Sequence, residues 1–325
     1  MRRPFLVSGA AVIVAALLVV PMPLVVLSPG AALSVPARIE LVGQAEDQVS
    51  GDLLLTTVRV SEPSAVETVV AWLDGRRSVV ARQQVIPPGV DADEYVEAQR
   101  QLYRESAQLA AAVGLRAAGF PAEVTGAGAR VAGVIEGSPA EGRLREGDVI
   151  TAINDWPVLT AADVAAVTAR ATSGDLVRVR VQRGDEAREL RIVVDEVSRL
   201  GRPGLGVALR TVAAAVRLPF PVEVAPERIG GESAGLMTAL AVYDLVDPGD
   251  LARGRRVAGT GTIDGRGRVG PVGGVAEKVA AAERADAVLF LVPRAEADLA
   301  KRAAGPRLRV VPVDTFDDAL AALRR

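Results

Sequence analysis

A chain of 325 residues with 38 basic and 40 acidic side chains carries a net charge of −2 and contains neither histidine nor cysteine. Those two absences remove the Ser-His-Asp triad, the cysteine nucleophile, disulfides and nearly every zinc, haem or iron–sulfur site. Acid–base chemistry near neutral pH then falls to a carboxylate, a tyrosine or a lysine. Lysine occurs only at Lys278 and Lys301, the other 36 basic residues being arginine. A surviving lysine therefore points to a role that a permanently charged guanidinium cannot fill. No basic run extends beyond Arg253–Arg256, so nothing favours nucleic-acid binding. No G-x-x-x-x-G-K-[ST] motif occurs, so no Walker-type ATPase is encoded and no cofactor is implied.

From the N-terminus, Arg2 and Arg3 precede a stretch with no charge until Arg38. Phe5–Leu27 is long enough to cross a hydrocarbon core of ~30 Å, and the preceding arginines keep residues 1–4 on the cytoplasmic side. The run exceeds the h-region of a cleaved signal peptide, and no clean A-x-A site follows it. Residues 5–27 are therefore expected to be a signal anchor with everything after it outside the cytoplasm. Residues 28–120 hold a strand-like "GDLLLTTVRV" and, after the breaker "IPPGVD", a helical "DADEYVEAQRQLYRESAQLAAAVGLRAAG". They show no chemistry and are expected to form a spacer and packing layer.

The next segment opens with a strand "ARVAGV" and turns at Gly137-Ser138-Pro139. A strand "GDVITAIND" follows, then a helix capped by Thr160 or Asp163, then a hairpin around Arg183-Gly184-Asp185. This order, with G-S-P-A and then R-E-G-D-V-I-x-x-I-N, resembles a bacterial PDZ domain, placed at 121–198. The resemblance implies capture of extended peptides as an added strand, with a C-terminal carboxylate held on backbone amides. Two loops could hold that carboxylate, "GFP" from Gly119 or "GLG" from Gly204.

Residues 199–325 alternate strand and helix, the pattern of an α/β domain. Two helix starts stand out. "IGGESAGLMTALAVYDL" puts Ser233 after two glycines, where the chain turns sharply and backbone N–H groups are free. "GPVGGVAEKVAAAERA" puts Lys278 one turn into a second apolar helix. G-x-S-A-G, the intervening "VAGTGTIDGRGRVGPVGG" and P-V-G-G-x-x-x-K resemble the Lon proteolytic domain, peptidase family S16. Anchor, PDZ and Lon segments in this order resemble the ATP-independent, membrane-anchored, PDZ-containing Lon-like proteases of bacteria.

That resemblance implies Ser233 as nucleophile and Lys278 as its base. It also implies that Thr260 orients the lysine amine. The N–H groups around Ser233, from Gly231 to Ala234, would suit an oxyanion hole at the helix start. A lysine can accept the serine proton only when neutral, and lowering its pKa from about 10.4 to about 7–8 costs roughly 3–5 kcal/mol of desolvation. The burial needed is expected from the helix face of Val275, Val279 and Ala282. Many relatives carry proline before the serine, whereas this chain has Glu232, a carboxylate that would raise the lysine pKa if it lay close. Lon-type domains form hexameric rings, so the resemblance also implies a homo-oligomer. A catalytically silent peptide-binding scaffold is the alternative. A type I signal peptidase, which places its serine soon after the anchor in an all-β fold, fits poorly with a Ser233 that opens an apolar helix.

Overall fold

Leu24–Ser34, the tail of the apolar N-terminal run, forms a strand. The computed structural model describes residues 23–44, 50–74, 76–86, 92–125, 128–168, 170–197, 202–212, 215–225, 230–247 and 249–325. In chain order the first elements are β1 (Leu24–Ser34), β2 (Asp52–Ser61), α1 (Ala65–Leu73), β3 (Ser78–Ala81) and α2 (Ala92–Ala117). Then come β4 (Ala129–Val134), β5 (Val149–Ile153), α3 (Ala161–Thr168), β6 (Leu176–Arg183), β7 (Glu186–Val193) and β8 (Val207–Thr211). The last part contributes α4 (Gly235–Val246), β9 (Arg256–Gly259), β10 (Thr262–Ile263), β11 (Val269–Gly270), α5 (Val275–Arg284), β12 (Leu289–Pro293), α6 (Ala297–Ala303), β13 (Arg309–Val313) and α7 (Phe316–Arg324).

Two sheets organise these elements. The first runs β13-β12-β9-β2-β1-β3, and the second β7-β6-β5-β4-β8. In the first sheet β13, β12, β9 and β2 are mutually parallel, and β1 is antiparallel to both β2 and β3. β12 reads "LFLVP" and is buried along its whole length, as expected of a central parallel strand covered on both faces. One core packs β2 residues Leu53 and Leu55 and α2 residues Tyr103, Ala111 and Leu115 against α4, α7 and the sheet. On the other face Val275, Val279 and Ala282 of α5 pack on Leu54, Phe290 and Val292.

Residues 28–120 are thus more than a spacer, because they supply three strands of the C-terminal domain's sheet and the helix that covers α4. Nor does the PDZ-like unit simply precede the α/β domain. It is inserted into it. Glu123–Thr125 pairs with Ala215–Arg217, so the two ends of the insertion lie side by side. β8, read from sequence as part of the 199–325 domain, is an edge strand of the inserted sheet, paired with β4. Alternating apolar residues mark "GLGVALR" as a strand, but which sheet it joins depends on contacts far away in sequence.

The expected span over 5–27 also changes at its end. Leu24–Leu27 pair with Ser78–Ala81 inside the sheet, so they cannot close a membrane helix. Residues 5–22 of that span lie outside the described residues. Among the described residues no helix is long and apolar enough to cross a membrane.

The insertion is bolted to its host by a buried charge cluster. Thr160 caps α3, with Asp163 reaching back to the Leu159 and Thr160 amides. The second oxygen of Asp163 accepts from Arg268 Nη2 at 3.2 Å, and Arg268 Nε donates to Asp264 in the β10–β11 turn. The three side chains are 2%, 7% and 0% exposed, and Trp156 lies against the guanidinium, 5.1 Å from its ring centroid. Removing one partner of a buried ion pair strands the others without water. Arg268→Ala is therefore expected to destabilise the protein by about 3–5 kcal/mol in equilibrium urea unfolding. An unchanged midpoint would show the cluster to be energetically idle.

Candidate active site

The site forms where three short pieces of chain meet: the start of α4, the end of β9 and the first turn of α5. α4 is mostly apolar and buried on every side from Gly235 to Leu245, so its N-terminus is held rigidly. Gly231 turns the chain into it at φ +83°, and the Gly231 amide donates to the Gln99 carbonyl of α2 at 2.8 Å. Ser106 Oγ, also on α2, donates to the Glu232 carbonyl. Gly261 and the α4 start are laced together, Gly261 N donating to Ser233 O at 2.9 Å and Leu236 N to Gly261 O at 3.0 Å. Gly274 stands just before α5 at φ +65°, where a Cβ would meet the Val58 side chain at 2.6 Å. Helix α5 then turns Lys278 inward with Val275, Val279 and Ala282.

Three side chains converge there. Lys278 Nζ lies 2.9 Å from Ser233 Oγ and 3.0 Å from Thr260 Oγ1. Thr260 is fully buried, and its hydroxyl donates to the Ser233 carbonyl at 3.1 Å, which turns a lone pair toward the amine. Lys278 is 4% exposed, whereas Ser233 is only half-buried and faces a cleft. Burial pulls the Lys278 pKa down to about 8, against the opposing pull of the Glu296 and Glu277 carboxylates. Those two carboxylates stand in the segment before α6 and on α5. Among the described residues no cluster of carboxylates could hold a metal.

The cleft has a volume of about 840 Å³, and its far wall comes from the region that showed no chemistry in the sequence. Gly30 and Ala31 of β1, Thr56 and Thr57 of β2, and Tyr95 and Gln99 of α2 face Ser233 and Lys278 across it. The β1–β2 register shifts between Pro29 and Ala32, and Thr57 Oγ1 fills the gap by accepting from Ala31 N and donating to Ala31 O. "SPG" inside an otherwise apolar strand was the available signal for that irregularity. The Ser233 and Ala234 amides, ahead of the first turn of α4, donate to no other group among the described residues.

The inserted unit aligns with this cleft. Among the described residues β8 is an edge strand, and Gly204-Leu205-Gly206 leads directly into it, with Gly206 at φ +75°. "GFP" instead ends α2, where Gly119 N and Phe120 N donate to the carbonyls of Arg116 and Leu115. Of the two candidate carboxylate loops, "GLG" leads into an edge strand of the inserted sheet, whereas "GFP" lies between α2 and the paired stem Glu123–Thr125. A second cavity of about 460 Å³ lies between Leu209–Thr211 of β8, Leu102 and Ser106 of α2, and Glu232, which also lines the first cleft.

A lysine whose folded pKa sits below its unfolded value binds fewer protons folded than unfolded, so its linked stability rises with pH between the two values. For Lys278 the window runs from about 8 up to about 10.5. Below it, the buried ammonium costs the fold roughly 3 kcal/mol, at ~1.4 kcal/mol per unit of pKa. Lys278→Met is expected to remove that pH dependence and to unfold at higher urea than the parent at pH 7. A variant no more stable there would mean that the ammonium is better solvated than its burial implies.

A family model described as the Lon protease (S16) C-terminal proteolytic domain matches residues 213–324, and one described as a PDZ domain matches residues 101–194. The Lon protease of Campylobacter jejuni subsp. jejuni is 38% identical over 94 residues, covering 28% of this chain and 12% of that protein. The Lon protease of Roseiflexus castenholzii is 37% identical over 100 residues, 31% of this chain and 11% of its own length. That of Mycolicibacterium smegmatis is 29% identical over 160 residues, 48% of this chain and 18% of its own length. The chain therefore spans less than a fifth of the length of these curated relatives. The solved PDZ domain of the SdrC-like protein of Listeria monocytogenes is 28% identical, with 27% of this chain and 92% of that one covered at a TM-score of 0.25. The two family matches, on either side of the β8 edge strand, give this chain a PDZ domain and a domain of the Lon (S16) proteolytic type.

Proposed function

We propose that the chain is an ATP-independent serine endopeptidase with a Ser233–Lys278 dyad, anchored through its N-terminal apolar run and acting on extracytoplasmic proteins. The observation that carries this reading is the 2.9 Å approach of Ser233 Oγ to a buried amine whose pKa lies near 8. In its neutral form Lys278 Nζ takes the hydroxyl proton while Oγ attacks the scissile carbonyl. The oxyanion gathers on the open Ser233 and Ala234 amides at the N-terminus of α4. Lys278 then passes the proton to the departing amine, and a water deprotonated by the same lysine releases the acyl group. Thr260 keeps Nζ aimed at Oγ and needs no charge to do so. Arginine could not stand in for the lysine, because it does not lose its proton.

Anchoring rests on the sequence, where no charge interrupts the chain between Arg3 and Arg38. Cleavage near Ala32 would remove most of β1, a strand within the central sheet, which favours retention of the N-terminal segment. Substrate capture follows from the β8 edge. A peptide added there, with its C-terminal carboxylate on the Gly204–Gly206 loop, runs antiparallel to β8, its upstream residues toward Thr211. Its upstream residues then reach the cavity that ends at Glu232, next to Ser233.

Folded Ser233→Ala and Lys278→Arg are expected to be equally inactive on an unfolded protein substrate, because the two side chains act as one unit. The rate of the parent is expected to rise with pH through about 8, as the amine loses its proton. Substantial activity in folded Lys278→Arg would remove the dyad, and a parent inactive at every pH would favour the silent scaffold. Replacing residues 126–214 by a short linker between the paired ends Thr125 and Ala215 should raise KM for the protein while sparing kcat on a short peptide. Equal losses on both substrates would assign the insertion a structural role. External protease added to cells stripped of their wall should digest the folded part, and protection would overturn the topology.

A further inference from the structure

Helix α1 wears its apolar side outward. Its sequence, AVETVVAWL, places Val66, Val69, Val70 and Leu73 at i, i+3, i+4 and i+7, the spacing of one helical face. A surface helix normally turns that face to the core. Here the four are 51%, 57%, 51% and 72% exposed, and the adjoining Trp72 is 77% exposed. The side that packs on the protein is made of small residues, with Ala71 buried and Ala65 and Thr68 half-buried. The helix is well formed, because Ser64 and Glu67 make a reciprocal cap at its start. Five large apolar side chains side by side form a patch, unlike the scattered exposed residues Trp156, Leu176 and Val193 of the inserted unit.

The position of the patch identifies its occupant. α1 packs on β3, and β3 pairs with Leu24–Leu27, the first residues of β1. The apolar run read from sequence as 5–27 ends at that point, its last residues already in the sheet. Whatever the run enters therefore lies within reach of α1. The turn after the helix carries Arg76 and Arg77, both exposed. An outward apolar face, a tryptophan at its border and arginines beside it are the composition of a helix that lies in a membrane interface.

We propose that α1 lies in the plane of the membrane that the N-terminal run enters. Val66, Val69, Val70 and Leu73 sit among the upper acyl carbons, Trp72 at the headgroup level, and Arg76 and Arg77 against lipid phosphates. This docking rests on the anchor reading and adds a second point of attachment. A single span leaves a domain free to swing about its exit point, whereas two contacts hold it at one tilt. The cleft then keeps one orientation relative to the bilayer, so the protein would draw on chains emerging at or near the membrane surface.

The test uses the full chain in vesicles of phosphatidylethanolamine and phosphatidylglycerol. Trp72 and Trp156 are the only tryptophans, so Trp156→Phe leaves Trp72 as the sole reporter and Trp72→Phe leaves Trp156. With lipids brominated high on the acyl chain, Trp72 emission is expected to fall roughly twofold, as for a helix about 5–10 Å into the interface. Trp156 emission should stay unchanged. If the chain resists carbonate extraction but Trp72 is not quenched, the docking is overturned and the anchor stands. Release of the chain by carbonate overturns both. A Val69→Cys chain that cross-links to a second copy, with Trp72 unquenched, assigns the face to contacts between copies and overturns the lipid proposal.

Discussion

The contact on which this molecule turns is between a buried amine and a half-exposed hydroxyl. Lys278 is sealed into the apolar face of α5, where keeping it protonated is costly, and the half-exposed Ser233 sits at the mouth of the cleft. Native domains are stable by only about 5–15 kcal/mol, so a buried amine represents a large fraction of that margin. The surroundings show how the cost is met. The α5 helix is driven into the core by Val275, Val279 and Ala282, against strands that are apolar on both faces. Thr260 gives Nζ a hydrogen-bond partner without giving it a counter-charge. A carboxylate in the same place would return the lysine to its ordinary pKa.

Geometry at this scale depends on the rigidity of the three pieces that meet. The α4 start is fixed from above by the Gln99 carbonyl and Ser106, and from the side by the two-way pairing with Gly261. Gly259, between them, admits Met237 and Leu291 to distances that a Cβ would forbid. The N-terminal strands belong to the same frame, because β2 lies between β9 and β1 and carries one wall of the cleft. Residues more than two hundred positions apart thus form a single site.

The inserted unit is joined to this frame in three ways. Its ends leave from a paired stem, its helix α3 is pinned through Asp163 to Arg268, and its edge strand opens onto a cavity that reaches Glu232. Arg268 sits just before β11, and the chain from β11 passes through Pro271–Gly274 directly into α5. Glu232, beside the serine, lines both cavities.

Much of the chemistry was legible in the sequence. The absence of histidine and cysteine, together with a lysine retained among arginines, narrowed the base to very few residues. Glycines before Ser233 and Lys278 marked two sharp helix starts, and the strands and helices of residues 230–325 followed their periodicity closely. Those features are local, because glycine conformations and helical spacing are properties of a few neighbouring residues. The pairing of strands was not legible. β1 read as the end of a membrane run, β2 as part of a spacer, and β8 as part of the wrong domain. A strand's own residues set its alternation, but the backbone groups that pair it are the same in every strand. The choice of partner is made by the whole core, and only the tertiary structure decided it. It also decided that Lys278 is buried, since burial belongs to what packs around a residue rather than to the residue itself.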